Sequence, residues 1–296
     1  MSDLLAHLNA PQLAAVTLPA QHALILAGAG SGKTRVLTTR IAWLISTGQV
    51  GPQGILAVTF TNKAAKEMQS RLAAMLPINS RGMWIGTFHG LCNRLLRAHC
   101  HEAGLPTQFQ ILDAADQLAT IKRLLKNLNV DDQKFPPREL MHFINAHKEQ
   151  GLRAAQAEAY DAFTSRRVEL YTEYEAQCRR EGVADFAELL LRSYELLQRN
   201  EPLCQHYQAR FRHILVDEFQ DTNRLQYAWL KLLAGRGSVI PESSAACLFA
   251  VGDDDQSIYA FRGAEIGNMR DLQREFALPN VIRLEQNYRA HGNILD

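Results

Sequence analysis

A glycine-rich segment, AGAGSGKT at residues 27–34, combines residue types and spacing that could do chemistry. It follows a short apolar run and precedes a helical pattern, which is the context that a phosphate-binding P-loop requires. Gly28, Gly30 and Gly32 allow a tight turn that brings backbone N–H groups onto phosphate oxygens, and the helix directs its positive N-terminal end to the same place. The segment therefore predicts a phosphate site.

Two polar side chains complete this predicted site. Lys33 supplies a positive charge for the β and γ phosphates, and the Thr34 hydroxyl can ligate Mg²⁺. Ala27 stands where the strict pattern has glycine. A glycine-rich turn with an incidental lysine is the alternative, and the strand before it and the helix after it disfavour that alternative.

A second segment, ILVDEFQDTN at residues 214–223, is an apolar run that ends in adjacent carboxylates. We expect Asp217 to hold Mg²⁺ through water and Glu218 to polarise an attacking water. Alone, such a pair is often only a solvated strand end. Together with an upstream P-loop it predicts a site for nucleoside triphosphate hydrolysis.

These side chains need a scaffold, and short apolar runs alternating with helical patterns predict a parallel α/β sheet. The predicted strands cover residues 22–27, 55–60, 83–87, 213–218 and 247–252. The predicted helices between them cover residues 33–45 and 63–76, a stretch from about residue 90, and residues 227–233.

Residues 113–210 carry a different pattern, in which a 3.6-residue periodicity dominates and strand-like runs are absent. The fold expected is therefore α/β: a P-loop parallel sheet domain with an inserted all-helical subdomain. We expect the first domain to comprise residues 1–90 and 211–283 and the insertion to comprise residues 91–210. Residues 234–246 are rich in Gly, Ser and Pro and predict a surface loop.

The DEFQD segment after such a P-loop resembles motif II of the UvrD/PcrA/Rep family of superfamily 1 DNA helicases. Further segments resemble the other motifs of that family in the same order: residues 8–16 (the Q motif), 57–68 (Ia), 84–92 (Ib), 251–264 (III) and 284–289 (IV). The resemblance covers essentially the whole chain. It implies that the sheet domain is RecA-like and that residues 284–296 are the truncated start of another RecA-like domain. It implies ATP and Mg²⁺ as cofactors and ATP-driven movement on single-stranded DNA.

The resemblance also implies roles for single residues. Gln12 is expected to read the adenine edge, Gln256 to sense the γ phosphate, Tyr288 to stack on adenine and Arg289 to act as an arginine finger. The expected catalytic residues are Lys33, Asp217, Glu218, Gln256 and Arg289, and Thr34 and Asp217 are the expected Mg²⁺ ligands. The expected nucleotide-binding residues are Gln12, Gly28, Ala29, Gly30, Ser31, Gly32, Lys33, Thr34, Arg35 and Tyr288.

A DNA track follows from the same resemblance, because single-strand binding uses aromatic faces for bases and polar or basic groups for phosphates. The expected DNA-binding residues are Phe60, Thr61, Asn62, His89, Tyr259, Phe261 and Arg262. Core packing is the alternative for each of the aromatic rings, Phe60, Tyr259 and Phe261. Phe261 stands where the family usually has tryptophan.

The expected function is an ATP-dependent DNA helicase that moves 3′ to 5′ on single-stranded DNA in repair or replication. Its expected partners are single-stranded DNA, single-strand/duplex junctions and repair proteins. The family continues beyond motif IV into a domain with motifs V and VI, so we expect the 296-residue chain to be incomplete for unwinding. The alternative is a nucleotide- and DNA-binding module without efficient turnover. A P-loop kinase is disfavoured, because phosphate transfer does not require TFTNKAA or GDDDQSIY.

Composition sets the remaining limits. Lys and Arg total 32 against 31 Asp and Glu, a net charge of +1, so DNA binding must depend on local sites. Five scattered cysteines and no apparent leader indicate a reducing cytoplasm. No run approaches the roughly 20 apolar residues that cross a bilayer. A possible metal-ligand cluster comprises Cys92, His99, Cys100 and His101. It lacks a second pair of ligands at the spacing of a zinc site, so it does not predict a metal site.

Overall fold

The structure is a computed structural model that describes residues 2–76, 82–235, 246–253, 267–278 and 281–286. These residues form two compact units. One comprises the described parts of Met1–Leu91 and Asn200–Asp296, and the other is Cys92–Arg199. No helix of the described residues is both long enough and apolar enough to span a membrane.

The first unit is built on a six-stranded parallel sheet in the order β3-β2-β6-β7-β1-β8. Its strands are β1 (Ala23–Ala27), β2 (Ile55–Thr59), β3 (Trp84–Thr87), β6 (His213–Val216), β7 (Cys247–Gly252) and β8 (Val281–Leu284). The register is continuous, with Ile25 opposite both Val251 and Ile282. The parallel sheet confirms the predicted α/β class.

Helices surround the strands of this unit. They are α1 (Ser2–Leu5), α2 (Ala10–Val16), α3 (Lys33–Ser46), α4 (Asn62–Met75), the start of α5 (Phe88–Ala98), α10 (Glu201–Arg210), α11 (Arg224–Leu233) and α12 (Gly267–Glu275). Every residue of β1, β2 and β6 is buried, as expected for strands covered on both faces. Parallel strands place their carboxyl ends at one edge, and the loops that leave this edge carry the predicted chemistry.

The second unit is mostly helical. It contains the rest of α5, α6 (Ala114–Asn127), α7 (Pro137–Glu149), α8 (Ala162–Glu181) and α9 (Phe186–Arg199). The prediction of an all-helical insertion missed a small parallel pair, β4 (Gln110–Leu112) with β5 (Val183–Asp185). Each strand has three residues, which is too short to produce an alternating pattern in the sequence.

A buried ionic network lies inside this second unit. Lys148 is 2% exposed, and its Nζ lies 2.7 Å from Asp185 Oδ2 and 3.0 Å from Glu188 Oε2. The Tyr174 hydroxyl donates to the same Asp185 oxygen at 2.8 Å. Arg153 Nη1 pairs with Glu188 at 2.8 Å. The network joins α7, α8 and α9 and pairs each buried charge, as burial requires.

Two expected boundaries differ from the units. We expected the insertion to run to residue 210, whereas α10 clusters with the first unit, where Tyr207 packs against Trp84 with ring centroids 5.5 Å apart. We expected residue 284 to begin another domain, whereas Leu284 ends β8 and pairs with Ala27 of β1. The run VIRL was not predicted as a strand because it is short and contains Arg283.

Candidate active site

The predicted P-loop connects the end of β1 to the start of α3. Gly30 and Gly32 have φ angles of 79° and 89°, in the left-handed region that favours glycine. The Ser31 hydroxyl donates to the Gly28 carbonyl at 2.7 Å and braces the turn. The first turn of α3 begins at Lys33, so its unpaired N–H groups face the same loop. This geometry is that of an anion cradle.

Lys33 extends from α3 towards two carboxylates. Its side chain is 10% exposed, and its Nζ lies 2.9 Å from Glu218 Oε2 and 3.8 Å from Asp253 Oδ2. Glu218 follows β6 and Asp253 follows β7, so the lysine joins the ends of two neighbouring strands to the loop after β1. The structure therefore brings Lys33 and Glu218 together as the sequence predicted.

Asp253 is a member of this cluster that the sequence analysis did not select. It is 2% exposed and lies directly after the apolar run of β7, the same position that Asp217 has after β6. An acidic residue directly after a buried parallel strand is the signal that could have identified it.

Gln220 was also missed, and it connects the Glu218 carboxylate to the backbone of Asp253. Its Nε2 donates to Glu218 Oε2 at 2.8 Å, and its Oε1 accepts from the Asp253 backbone N–H at 3.0 Å. A Cβ added at Gly252 would lie 3.0 Å from the same Oε1, so a side chain there would require the Gln220 amide to shift. Gln220 thus fixes the orientation of Glu218 relative to the end of β7.

Glu218 itself has an uncommon backbone conformation. Its φ and ψ are 50° and 47°, the left-handed region in which a residue other than glycine is strained. Its N–H donates to Asp217 Oδ1 at 3.1 Å, while the Asp217 N–H continues the β6–β2 ladder to the Val58 carbonyl at 3.0 Å. The turn therefore begins at Glu218. Asp217 still belongs to the β6–β2 ladder, whereas the Glu218 side chain reaches Lys33, so the two adjacent carboxylates have different surroundings.

Asp217 is the electrostatically strained member of the pair. It is 4% exposed, and burial first, followed by the neighbouring Glu218 carboxylate, raises the pKa of Asp217 from 3.8 to about 6. The Lys33 ammonium opposes this change in the pKa. A buried carboxylate held beside a second carboxylate can accept a cation, which would relieve the repulsion.

The raised pKa makes a prediction about stability. The native state holds the Asp217 proton more tightly than the unfolded chain does, so the stability that Asp217 contributes below pH 3.8 is lost as pH rises through about 6. We expect Asp217→Asn to raise the free energy of unfolding at pH 7 by about 1 to 3 kcal/mol. Urea unfolding should show this gain shrinking as the pH falls from 7 to 4.

A matched control is Asp185→Asn, because Asp185 is equally buried but pairs with Lys148 at 2.7 Å. It should destabilise the protein at pH 7, the opposite sign. A less stable Asp217→Asn protein, or a gain that is the same at pH 7 and pH 4, would contradict the strain at Asp217.

The oxygen donors at this site fit Mg²⁺. Mg²⁺ in phosphate-transfer sites typically uses one or two protein oxygens together with substrate phosphates and waters. Asp217 offers a buried carboxylate, and half-buried Thr34 offers a hydroxyl in the first turn of α3. Across the described residues no group of three His, Cys, Asp or Glu side chains could hold a metal alone.

Gln12 lies on the other side of the P-loop, on α2. Its Nε2 donates to the Ser31 carbonyl at 3.0 Å, its Oε1 accepts from the Asn9 N–H at 3.2 Å, and it is 1% exposed. A Cβ added at Gly32 would lie 3.0 Å from this Nε2. Gln12 is therefore packed against the loop, with one N–H and one lone pair of its amide left for a further partner. Ala29 and Arg35 are exposed beside it.

The described part of the expected DNA track follows β2 and β3. Phe60 is half-buried, and its ring packs edge-on against Phe88 with centroids 5.6 Å apart. Thr61 and Asn62 are exposed, and the Thr61 hydroxyl caps α4 by accepting from the Ala64 N–H at 3.1 Å. Burial lowers the pKa of half-buried His89 below 6.5, so its imidazole is neutral at pH 7.

The remaining expected site residues lie outside the described residues. They are Gln256, Tyr259, Phe261, Arg262, Tyr288 and Arg289. Within the described residues the site thus comprises the P-loop, Lys33, Asp217 and Glu218, with Gln220 and Asp253 added by the structure.

Comparisons with known proteins show the family of this chain. A family model for the UvrD/REP helicase N-terminal domain matches residues 8–277. DNA helicase II of Escherichia coli (strain K12) is 50% identical over 296 residues, which are 100% of this chain and 40% of that protein. ATP-dependent DNA helicase PcrA of Staphylococcus aureus (strain Mu50) is 42% identical over 299 residues with the same coverage. The chain spans about 40% of the length of these relatives.

These matches confirm the family resemblance that the ordered motifs predicted. The model match covers most of the sequence and includes every described residue of the active site. This chain belongs to the UvrD/REP helicase family, and it contains the N-terminal domain of that family.

Proposed function

We propose that the chain binds MgATP at the P-loop and forms the ATP-hydrolysing part of a DNA helicase. The observation that carries this proposal is the 2.9 Å pair between Lys33 Nζ and Glu218 Oε2, directly beside the anion cradle. The Lys33 ammonium, which can bind phosphate, and the Glu218 carboxylate, the candidate base, therefore lie together, as phosphoryl transfer to water requires.

In this proposal each residue has a physical task. Backbone N–H groups of the P-loop and the Lys33 ammonium bind the β and γ phosphates, and phosphate oxygens compete with Glu218 for the lysine. Glu218, oriented by Gln220, accepts a proton from the attacking water. When bound, Mg²⁺ neutralises charge on the β and γ oxygens, and Asp217 and Thr34 would hold it.

The family resemblance supplies four further proposals. Gln256 senses the γ phosphate, Tyr288 stacks on adenine and Arg289 neutralises transition-state charge. Gln12 contacts the adenine edge with the N–H and lone pair that its contacts to Ser31 and Asn9 leave over.

We place single-stranded DNA along the segments that follow β2 and β3. The half-buried Phe60 ring offers a face for stacking, and exposed Asn62 and neutral His89 offer hydrogen bonds to phosphate or base. We further propose that the helicase moves from 3′ to 5′ and unwinds DNA at single-strand/duplex junctions. Its proposed role is cytoplasmic, in repair or replication, with repair proteins as partners.

The Phe60 proposal makes a measurable prediction. In the protein at its full natural length, Phe60→Ala should weaken single-stranded DNA binding by roughly 1 to 3 kcal/mol, because it removes a stacking face. The salt dependence of binding should stay the same, because no phosphate contact is lost. Fluorescence anisotropy with a labelled oligonucleotide across a salt series measures both quantities.

Phe60→Leu separates stacking from packing, because leucine keeps an apolar contact with Phe88 but has no aromatic face. It should bind DNA as weakly as Phe60→Ala. If Phe60→Leu instead binds like the wild type, the ring serves packing against Phe88 and the DNA track is misplaced.

A further inference from the structure

Arg40 on α3 is a fully buried cation that the proposed chemistry does not use. Its exposed fraction is 0%. The guanidinium reaches four backbone carbonyls at 3.0–3.3 Å: Nη1 lies near those of Ala15, Val16 and Leu18, and Nη2 near that of Pro19. Within the part of the chain that the structure describes, no carboxylate forms a salt bridge with Arg40.

The four carbonyls belong to the end of α2 and the segment that leaves it. The last carbonyls of a helix have no partner within the helix, and a cation there also interacts favourably with the helix dipole. Arg40 therefore fixes the C-terminal end of α2 to α3. Its guanidinium carbon also lies 4.6 Å from the centroid of the Phe249 ring on β7.

Burying this charge is costly, and the structure records the cost. Burial lowers the pKa of Arg40 from 12.5 to about 10. Its Nε has no hydrogen-bond partner among the described residues. An apolar side chain of similar volume would avoid both penalties. A buried arginine that contacts backbone carbonyls and a ring is therefore best explained by what it positions.

The N-terminal end of α2 is fixed to the P-loop. Asn9 and Gln12 form a reciprocal capping box at this end, and Gln12 Nε2 donates to the Ser31 carbonyl at 3.0 Å. Helix α2 has seven residues, and a helix this short has little stability of its own in water. Its position therefore depends on tertiary contacts, which are the core packing of Ala15 and Val16 and the attachments through Gln12 and through Arg40.

We infer that Arg40 is a positioning residue for nucleotide binding: it holds α2 so that Gln12 stays against the P-loop and faces the adenine side of the site. This inference rests on the proposed function, because it assigns to Arg40 the support of the Gln12 contact. Arg40 acts through α2 and touches neither phosphate nor base.

The first test compares two ligands that share a triphosphate group, of which only one carries a base. Arg40→Lys keeps the charge but cannot span four carbonyls with one ammonium. It should weaken MgATP binding by about tenfold, while binding of inorganic triphosphate, which has no base, changes by less than about twofold. Calorimetric titration of both ligands into the 296-residue chain measures the ratio of the affinity for MgATP to the affinity for inorganic triphosphate.

The second test is a double-mutant cycle. Because Arg40 acts through Gln12, the losses from Arg40→Lys and Gln12→Ala should overlap, so that the double variant is hardly weaker than Gln12→Ala alone. Arg210→Lys is the matched control. The Arg210 guanidinium stacks over Trp84 at 5.2 Å from the ring centroid, away from α2, so this change should leave the ratio of affinities unchanged.

Three results would overturn the inference: a folded Arg40→Lys protein with the wild-type ratio, fully additive losses in the cycle, or a changed ratio in Arg210→Lys. If Arg40→Lys does not fold, Phe249→Leu decides, because it removes the ring beside the guanidinium and should lower the ratio about twofold to fivefold. A wild-type ratio in Phe249→Leu would then overturn the inference. If Lys33→Ala binds MgATP like the wild type, the proposed function itself fails, which is a separate outcome.

Discussion

Glu218→Gln is expected to lower the rate of ATP hydrolysis by about 10²- to 10⁴-fold while MgATP still binds. Glutamine keeps the size of the side chain and a partner for Gln220, but its amide cannot accept a proton from water. The neutral amide also attracts Lys33 less strongly than the carboxylate does at 2.9 Å, so phosphate meets less competition for the ammonium. Affinity for MgATP should be unchanged or higher.

This prediction is measured by steady-state ATP hydrolysis in the presence of single-stranded DNA, using the protein at its full natural length. Calorimetric titration of the same variant gives the affinity. Glu173→Gln on α8 is the matched control, because it is the same change at an exposed carboxylate in the other unit, and it should alter neither quantity. A Glu218→Gln protein that loses binding and turnover to the same degree would show that Glu218 is not the base.

The sequence predicted those parts of the site that depend on short stretches of chain. The run ALILA, the glycines of the loop and the following helix are contiguous, so periodicity and residue type were enough to place Lys33. Glu218 could be placed for the same reason, because it follows a buried strand directly. The central parallel sheet followed from the repeated strand–helix pattern.

The features that the sequence did not predict are contacts between distant segments. A single amide, that of Gln220, joins Glu218 to Asp253, and Asp253 lies 33 residues beyond Gln220 in the chain. Arg40 would be interpreted from the sequence as a charge on the exposed face of a helix, yet the structure buries it against the end of α2. Strand β8 forms because β1 has an open edge, which is a property of the sheet rather than of VIRL.

Nucleotide binding depends most strongly on Lys33, whose removal is the second large effect expected. Lys33→Ala takes away the ammonium that meets the phosphates and leaves Glu218 and Asp253 beside the cradle without their cation. Removing one partner of a buried charge pair, here the lysine that would pair with the phosphates, costs roughly 2 to 5 kcal/mol. MgATP affinity should therefore fall by about 30-fold or more. Lys122→Ala, at an exposed position on α6, is the matched control and should have the wild-type affinity.

Calorimetric titration of MgATP into the 296-residue chain and its Lys33→Ala variant is the most direct measurement of whether the P-loop binds nucleotide. We expect binding to the wild type and to Lys122→Ala, and loss of measurable binding in Lys33→Ala. Equal affinity of the wild type and a folded Lys33→Ala protein would contradict the assignment of this loop as the nucleotide site.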